Sequence, residues 1–282
     1  MTIFTNTDDV SGLLPAEYGD LIIRPVEAAS VALSVSSSVV IDAHDWHVPI
    51  LTDDAGAAWV DEGDDLTNTE PKFAELVVTP SKVGAVIAIS RELADDSSPE
   101  AAAAVADSIG RAIAAQVDRA YFGNLATPAP KGLDSLTGTT APAVLSAGAS
   151  WANTDPFAAA IASAQLEGAT IDNFVANPVD YLQLMQLKRQ VDSNEPLLGL
   201  DATSATRRLL LGVPLLASKH VEPGTIWGIP KQKAIVVIRK NVTVTTSDEV
   251  YFTTDRVAVK STMRVGFAFP QPKALVKIEL GV

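Results

Sequence analysis

Pro99–Asn124 reads PEAAAAVADSIGRAIAAQVDRAYFGN, and this stretch predicts one long helix. Ser97-Ser98-Pro99-Glu100 supplies its start: a serine cap, a proline whose missing N–H is harmless in the first turn, and an acid beside the positive end of the helix dipole. Val105, Ile109, Ile113 and Val117 recur every four residues and mark an apolar face. Asp107 stands one turn before Arg111, where the two can pair, and Gly123 offers a stop. About 25 residues at about 1.5 Å each make a rod of roughly 37 Å. Alanines fill much of its remaining surface, so neighbouring elements can approach closely.

Upstream, Lys82–Ser90 (KVGAVIAIS) predicts a buried strand. Before it, Asp53–Glu75 holds eight acids and one base, Lys72, a local charge of −7. The flanks of this acidic run alternate, with Ala57, Ala58, Trp59 and Val60 leading in and Phe73, Leu76 and Val78 leading out. They predict the two legs of a long hairpin. So long and solvated an excursion buries little of itself, and a partner surface would explain it. Ala32–Ile41 and Ala43–Ile50 predict a strand entering the hairpin after a turn-free approach, with a turn at Thr52–Gly56. Gly12, Pro15, Gly19 and Pro25 interrupt the first thirty residues, which predict an extended arm with one short helix.

Downstream, the proline- and glycine-rich stretch Thr127–Ser150 marks a boundary. Asp155-Pro156 opens a helix to about Glu167, Asn173–Ala176 reads as a strand, and Asn177-Pro178 caps a helix to about Gln190. After a polar loop at Glu195–Thr206, strands are expected at Leu209–Ala217, Ala234–Arg239, Val242–Thr246 and Glu249–Phe252. Arg256–Leu280 reads as a pair of long strands. The fold class is α+β.

Composition bounds the function. The 282 residues are 47% hydrophobic, enough for a large core in one or two domains, and there is no cysteine for a disulfide, a thiolate metal site or a nucleophile. A net charge of −13 argues against a dedicated nucleic-acid binder, which needs clustered Lys and Arg on the phosphates. MTIFTNTDDV has neither the basic nor the apolar part of a signal peptide, and no apolar run is long enough to span a bilayer, so a reducing, cytoplasmic birthplace fits. The chain has no Walker loop, G-x-G-x-x-G, G-x-S-x-G or H-E-x-x-H. Asp42, His44 and His47 are the right residue types for a metal, but strand positions three apart point to opposite faces, and His220 stands alone; both read as structural or surface histidines. The acidic run lacks the spacing of a calcium loop. No catalytic residue, cofactor or metal is expected.

The compensating charge lies at the other end. From Lys231 onward there are nine bases and four acids, a local charge of +5. This separation suggests that the acidic segment of one copy lies on the basic region of another, a head-to-tail contact between identical chains. The residues named for it are Trp59, Asp61, Glu62, Asp64, Asp65, Glu70, Lys72 and Phe73 on the loop, and Arg256, Lys260 and Arg264 on the strands.

Taken in order, five pieces resemble the major capsid proteins of tailed phages with the Hong Kong 97 fold. Trp59–Ser98 (WVDEGDDLTNTEPKFAELVVTPSKVGAVIAISRELADDSS) is similar to that family's extended loop and exit strand, and Pro99–Asn124 to its spine helix. NPVDYLQLMQLK (177–188) resembles an axial-domain helix, and LLGVPLLAS (210–218) its G-x-P strand. VYFTTDRVAVKSTMRVGFAFPQPKALVKIEL (250–280) resembles the closing peripheral strands, with Arg264 and the P-x-A pattern of Pro272 and Ala274.

The resemblance implies an N-terminal arm (1–32), a peripheral-domain strand (33–50), an extended β-hairpin loop (51–82), a peripheral domain with the long spine helix (83–126), an axial domain (127–240), and a return to peripheral strands (241–282). It implies a structural subunit of hexamers and pentamers in an icosahedral virion shell, assembled in the bacterial cytoplasm around double-stranded DNA held without sequence specificity. The loop from about Ser193 to Arg208 is expected near the capsomer axis. The implied partners are further copies of the chain, a portal protein, a decoration protein and no membrane. Met1 stands a few tens of residues before the first strand, leaving no room for a fused scaffold, so a separate scaffolding protein is expected. The family's founding member cross-links a loop lysine to an asparagine with help from a glutamate. Registering on Arg264 and Pro272 puts Asp255 and Thr262 at those two positions, and neither supports the chemistry, so the expected shell is not cross-linked. The alternative carrying the same fold is an encapsulin-type compartment; a stand-alone enzyme or binding module is the other class.

Overall fold

The structure, a computed structural model, describes residues 29–53, 59, 72–91, 99–190, 194–198 and 208–281. The chain runs α1 (Val31–Val35), β1 (Ser37–Val40), β2 (Trp46–Asp53), β3 (Lys72–Val78), β4 (Ser81–Ser90), α2 (Pro99–Phe122), β5 (Ala143–Ser146) and α3 (Asp155–Leu166). It continues through β6 (Asn173–Ala176), α4 (Pro178–Gln186), β7 (Arg208–Leu210), β8 (Val213–Ala217), β9 (Thr225–Ile229), β10 (Ile235–Tyr251), β11 (Arg256–Ala268) and β12 (Val276–Glu279).

The predicted long helix is α2, 24 residues and therefore about 36 Å. Its face of Ile109, Ile113 and Val117, interleaved with Ala106, Ala114 and Ala120, is buried. That face packs on a four-stranded sheet of order β1-β10-β11-β4, against Val236, Ile238, Val259, Met263, Val265 and Phe267. Small residues between large ones let the helix sit close to the pleat. Asp107 and Arg111 are both exposed on the far side and form no ion pair with each other.

The last turns of α2 also fix the entry to the fold. The buried Asp118 carboxylate accepts from the Ser30 hydroxyl at 2.6 Å and from the backbone N–H groups of Val31 and Ala32 at 3.0 Å each. Asp118 thereby caps α1 from a different helix. One turn on, Tyr121 lies edge-on to Phe122 and Phe267, at 5.0 and 5.1 Å between centroids, and its hydroxyl shares a 2.7 Å hydrogen bond with Ser36. Burial pushes the Tyr121 phenol well above its ordinary pKa, so it stays protonated. Gly132 passes against the carbonyls of Ala120, Tyr121 and Gly123, where no Cβ fits.

A six-stranded sheet of order β5-β12-β9-β6-β8-β7 forms the second body of the fold. Its core joins Phe157 of α3, Leu184 of α4 and Phe174, Ile226 and Ile278 of the strands. Asn177 ends β6 and starts α4: its side chain accepts from Val179 N at 3.1 Å and donates to Val221 O at 2.7 Å. Buried Asp180 takes hydrogen bonds from Trp151 Nε1 at 2.9 Å and Gly224 N at 2.8 Å, which leaves neither carboxylate oxygen bare.

β2 and β3 form the separate two-stranded hairpin, in register from Trp46–Val78 to Leu51–Phe73 and on to Asp53–Lys72. Its base packs Val78 on Val237 and Ala268, with Trp46 and Leu76 alongside. Gly266 makes that seat, since a Cβ there would stand 2.8 Å from Val78 Cγ1.

Several expectations change. The expected strand Ala32–Ile41 splits into α1 and β1, because Asp118 satisfies the amides that open a helix. The hairpin begins at Trp46, inside the segment assigned to the preceding strand (33–50). Leu209–Ala217 is two strands turned at Leu211 and Gly212, both with positive φ (53° and 84°). The three short strands between Ala234 and Phe252 are one, β10, which starts at Ile235, inside the segment assigned to the axial domain (127–240). The helix from Asn177 stops at Gln186. Residues 241–282 do not return as a unit: β11 joins the four-stranded sheet, and β12 crosses to the six-stranded one between β5 and β9.

Candidate inter-subunit face

The side chains of β4, β10 and β11 divide between the two faces of the four-stranded sheet. In β4, Val83, Ala85, Ile87 and Ile89 turn toward α2, while Lys82, Gly84, Val86, Ala88 and Ser90 are exposed on the other side. The expectation of a buried strand is therefore corrected to a half-buried one: among the described strands β4 lies at the edge of its sheet and has one open face. In β11, Val259, Met263 and Val265 face the helix, and Arg256, Lys260, Thr262 and Arg264 take the alternate positions.

The register brings these together. Arg256 stands opposite Ser90, Lys260 opposite Val86, Thr262 opposite Gly84 and Arg264 opposite Lys82. On the other flank Thr243 pairs with Thr262, Thr245 with Lys260, and Lys240 with Arg264. Gly84 is required by this closeness, because a Cβ would lie 2.8 Å from Ser261 O. The result is a basic face with no acid among the residues in this register. None of Lys82, Arg239, Arg256, Lys260 and Arg264 forms an ion pair among the described residues.

The named strand residues Arg256, Lys260 and Arg264 thus share one face. Two cations that were not named belong with them, Lys82 and Arg239, which line a cavity of about 280 Å³ with Thr243, Thr262, Met263 and Arg264. Lys82 carried a legible signal, since it falls in the outward phase of the alternation in KVGAVIAIS. Arg239 did not, because the register shift after Ile238 decides its position.

Of the named loop residues, Trp59 is fully exposed and Phe73 is 69% exposed on β3. Lys72 stands opposite Asp53. Asp61, Glu62, Asp64, Asp65 and Glu70 lie outside the described residues. No described hairpin residue lines the cavity.

The two positions registered on the cross-linking residues are far apart, seven residues along β11 or roughly 20 Å. The Asp255 carboxylate receives Arg91 Nε at 2.8 Å, and Thr262 Oγ1 meets Thr243 Oγ1 at 2.9 Å. At the hairpin base, His44 Nδ1 meets Asp45 at 2.9 Å and His47 Nδ1 meets Glu75 at 2.8 Å, so the two histidines serve different partners. Hydrogen bonds from Thr79 and His44 hold the Asp45 carboxyl below the usual range.

A family model, the Phage capsid family, matches residues 11–280. No curated protein sequence matches the chain. Among solved structures, one named for Mycobacterium phage Adephagia superposes with a TM-score of 0.71 at 17% identity, over 90% of this chain and 91% of that one. The capsid of an empty GTA particle superposes at 0.75 and 17% identity, over 90% of each chain. A virus-like particle from Pyrococcus furiosus superposes at 0.59 and 14% identity, over 93% of this chain and 98% of the other. The fold is that of the Hong Kong 97-like capsid proteins.

Proposed function

The chain belongs to the phage capsid family and is a capsid shell protein, and on that premise we propose that it forms the hexamers and pentamers of a tailed phage's icosahedral shell. The shell encloses double-stranded DNA, is assembled in the bacterial cytoplasm with a separate scaffolding protein and a portal, and leaves its surface open to a decoration protein. The subunit acts structurally, not as an enzyme. The acidic hairpin segment of each copy lies on the basic outer face of its neighbour's four-stranded sheet.

The observation that carries this reading is the cationic face of β4, β10 and β11, without ion pairs among the described residues, in a molecule whose net charge is −13. Five cations on one face of an acidic chain have no ion-pair partner among the described residues, which suits them to another molecule. The chain's own segment 53–75, at −7, is the complementary charge. The shell is held without covalent links, since Asp255 is already engaged by Arg91 and Thr262 offers no carboxylate.

Purified subunits are expected to form closed particles by electron microscopy, with an assembly rate that falls as salt shortens the Debye length below about 10 Å. A covalent ladder on denaturing gels, or assembly indifferent to salt, would contradict the two parts of this proposal in turn. Small shells filled with protein instead of DNA would favour the compartment reading.

A further inference from the structure

We infer that the cavity among Lys82, Arg239, Arg264, Thr243 and Thr262 is a carboxylate receptor, filled in the assembly by an acidic side chain from segment 53–75 of a second copy. The inference rests on the proposed loop-on-sheet contact and assigns its anchoring point.

Three features of the cavity point to an anion. Its three cations come from three different strands, β4, β10 and β11, so their convergence is a product of the fold and not of one charged run. Lys82 and Arg264 stand directly opposite each other in the antiparallel register. Like charges in facing positions destabilise a sheet, and no acid of the described chain relieves them. An anion seated between them turns that repulsion into two attractions. The third feature is the pair of hydroxyls beside them: Thr243 and Thr262 meet at 2.9 Å, and the proton that their mutual hydrogen bond does not use can turn to a carboxylate oxygen.

The occupant follows from charge and reach. The cavity, about 280 Å³, leaves room for a carboxylate side chain with its water. The described strands of the same chain's hairpin pack on this sheet through their base at Trp46, Leu76 and Val78, and none of their described residues lines the cavity. From that base its described strands extend seven residues, roughly 20 Å. A second copy's segment 53–75, the most acidic stretch of the sequence, is the partner this geometry suits. A nucleic-acid phosphate is the competing source of negative charge, and the test separates the two.

The test uses the full chain at low salt, with particle yield read by light scattering and electron microscopy and folding read by circular dichroism. Lys82→Gln/Arg239→Gln/Arg264→Gln is expected to lower the yield about tenfold or more while the subunit stays folded. Asp64→Lys/Asp65→Lys is expected to do the same, and combining it with Lys82→Glu/Arg264→Glu is expected to restore assembly. If Arg256→Gln/Lys260→Gln blocks assembly and the cavity variant does not, the receptor is wrong and the loop-on-sheet contact stands. If reversing the loop charge leaves assembly unchanged, that contact itself fails and the receptor with it. No recovery in the charge-swapped chain, or a cavity variant that assembles normally and loses only its affinity for short duplex DNA, would also overturn the inference.

Discussion

The two faces of the four-stranded sheet are written by the same strands and solve opposite problems. Toward α2, β4, β10 and β11 present Val83, Ile87, Val236, Val259 and Phe267, and the helix closes over them. Away from α2, the alternate positions present Lys82, Val86, Arg256, Lys260 and Arg264, and beyond the hairpin base no described element covers them. A period of two is all that separates a core from an open, basic face. If the open face is the inter-subunit contact proposed above, stability of the subunit and stability of the shell are stored on opposite sides of one layer. A change on one side should therefore be silent on the other.

The sharpest way to break this division is to cut the covered side. Tyr121→Ala removes a ring packed edge-on to Phe122 and Phe267 and should cost the unassembled subunit about 4 kcal/mol in urea unfolding. Next comes Asp118→Ala, which strips the Ser30 hydroxyl and two amides of their buried acceptor and should cost about 3 kcal/mol. Gly84→Ala is the intermediate case, because its Cβ would project from the open side yet press on Ser261 O; the same measurement should give about 1–2 kcal/mol. The smallest effect belongs to Lys260→Gln on the uncovered side: subunit unfolding should move by less than about 0.5 kcal/mol. A large loss there would show that the basic face helps the chain fold by itself, and the division would collapse.

How much could be read beforehand divides along physical lines. The long helix was legible because its signals are local: Pro99 starts it, Ile109, Ile113 and Val117 give its face, and the structure ends it at Phe122. The basic strand residues were legible because Arg256, Lys260 and Arg264 keep one phase of a single strand. α1 was hidden because the group that caps it, Asp118, lies 88 residues from Ser30. β9 (TIWGI) was hidden because it is buried throughout and so has no alternation to display. Lys82 falls in the legible outward phase of KVGAVIAIS, but its partner across the sheet, Arg264, is set by the pairing register and not by the local sequence.

The crossing of β12 into the six-stranded sheet has a consequence for synthesis. Among the described strands β5 hydrogen-bonds only to β12, and β12 also borders β9. β5 emerges from the ribosome some 130 residues before the strand that will hold it. The six-stranded sheet therefore stays unfinished while β10 and β11 are being made, and the two sheets complete within a few residues of each other. A chain interrupted before Val276 has no route to a finished sheet. The last strand to be made is thus the one that ties β5, among the first strands of its sheet, to the rest.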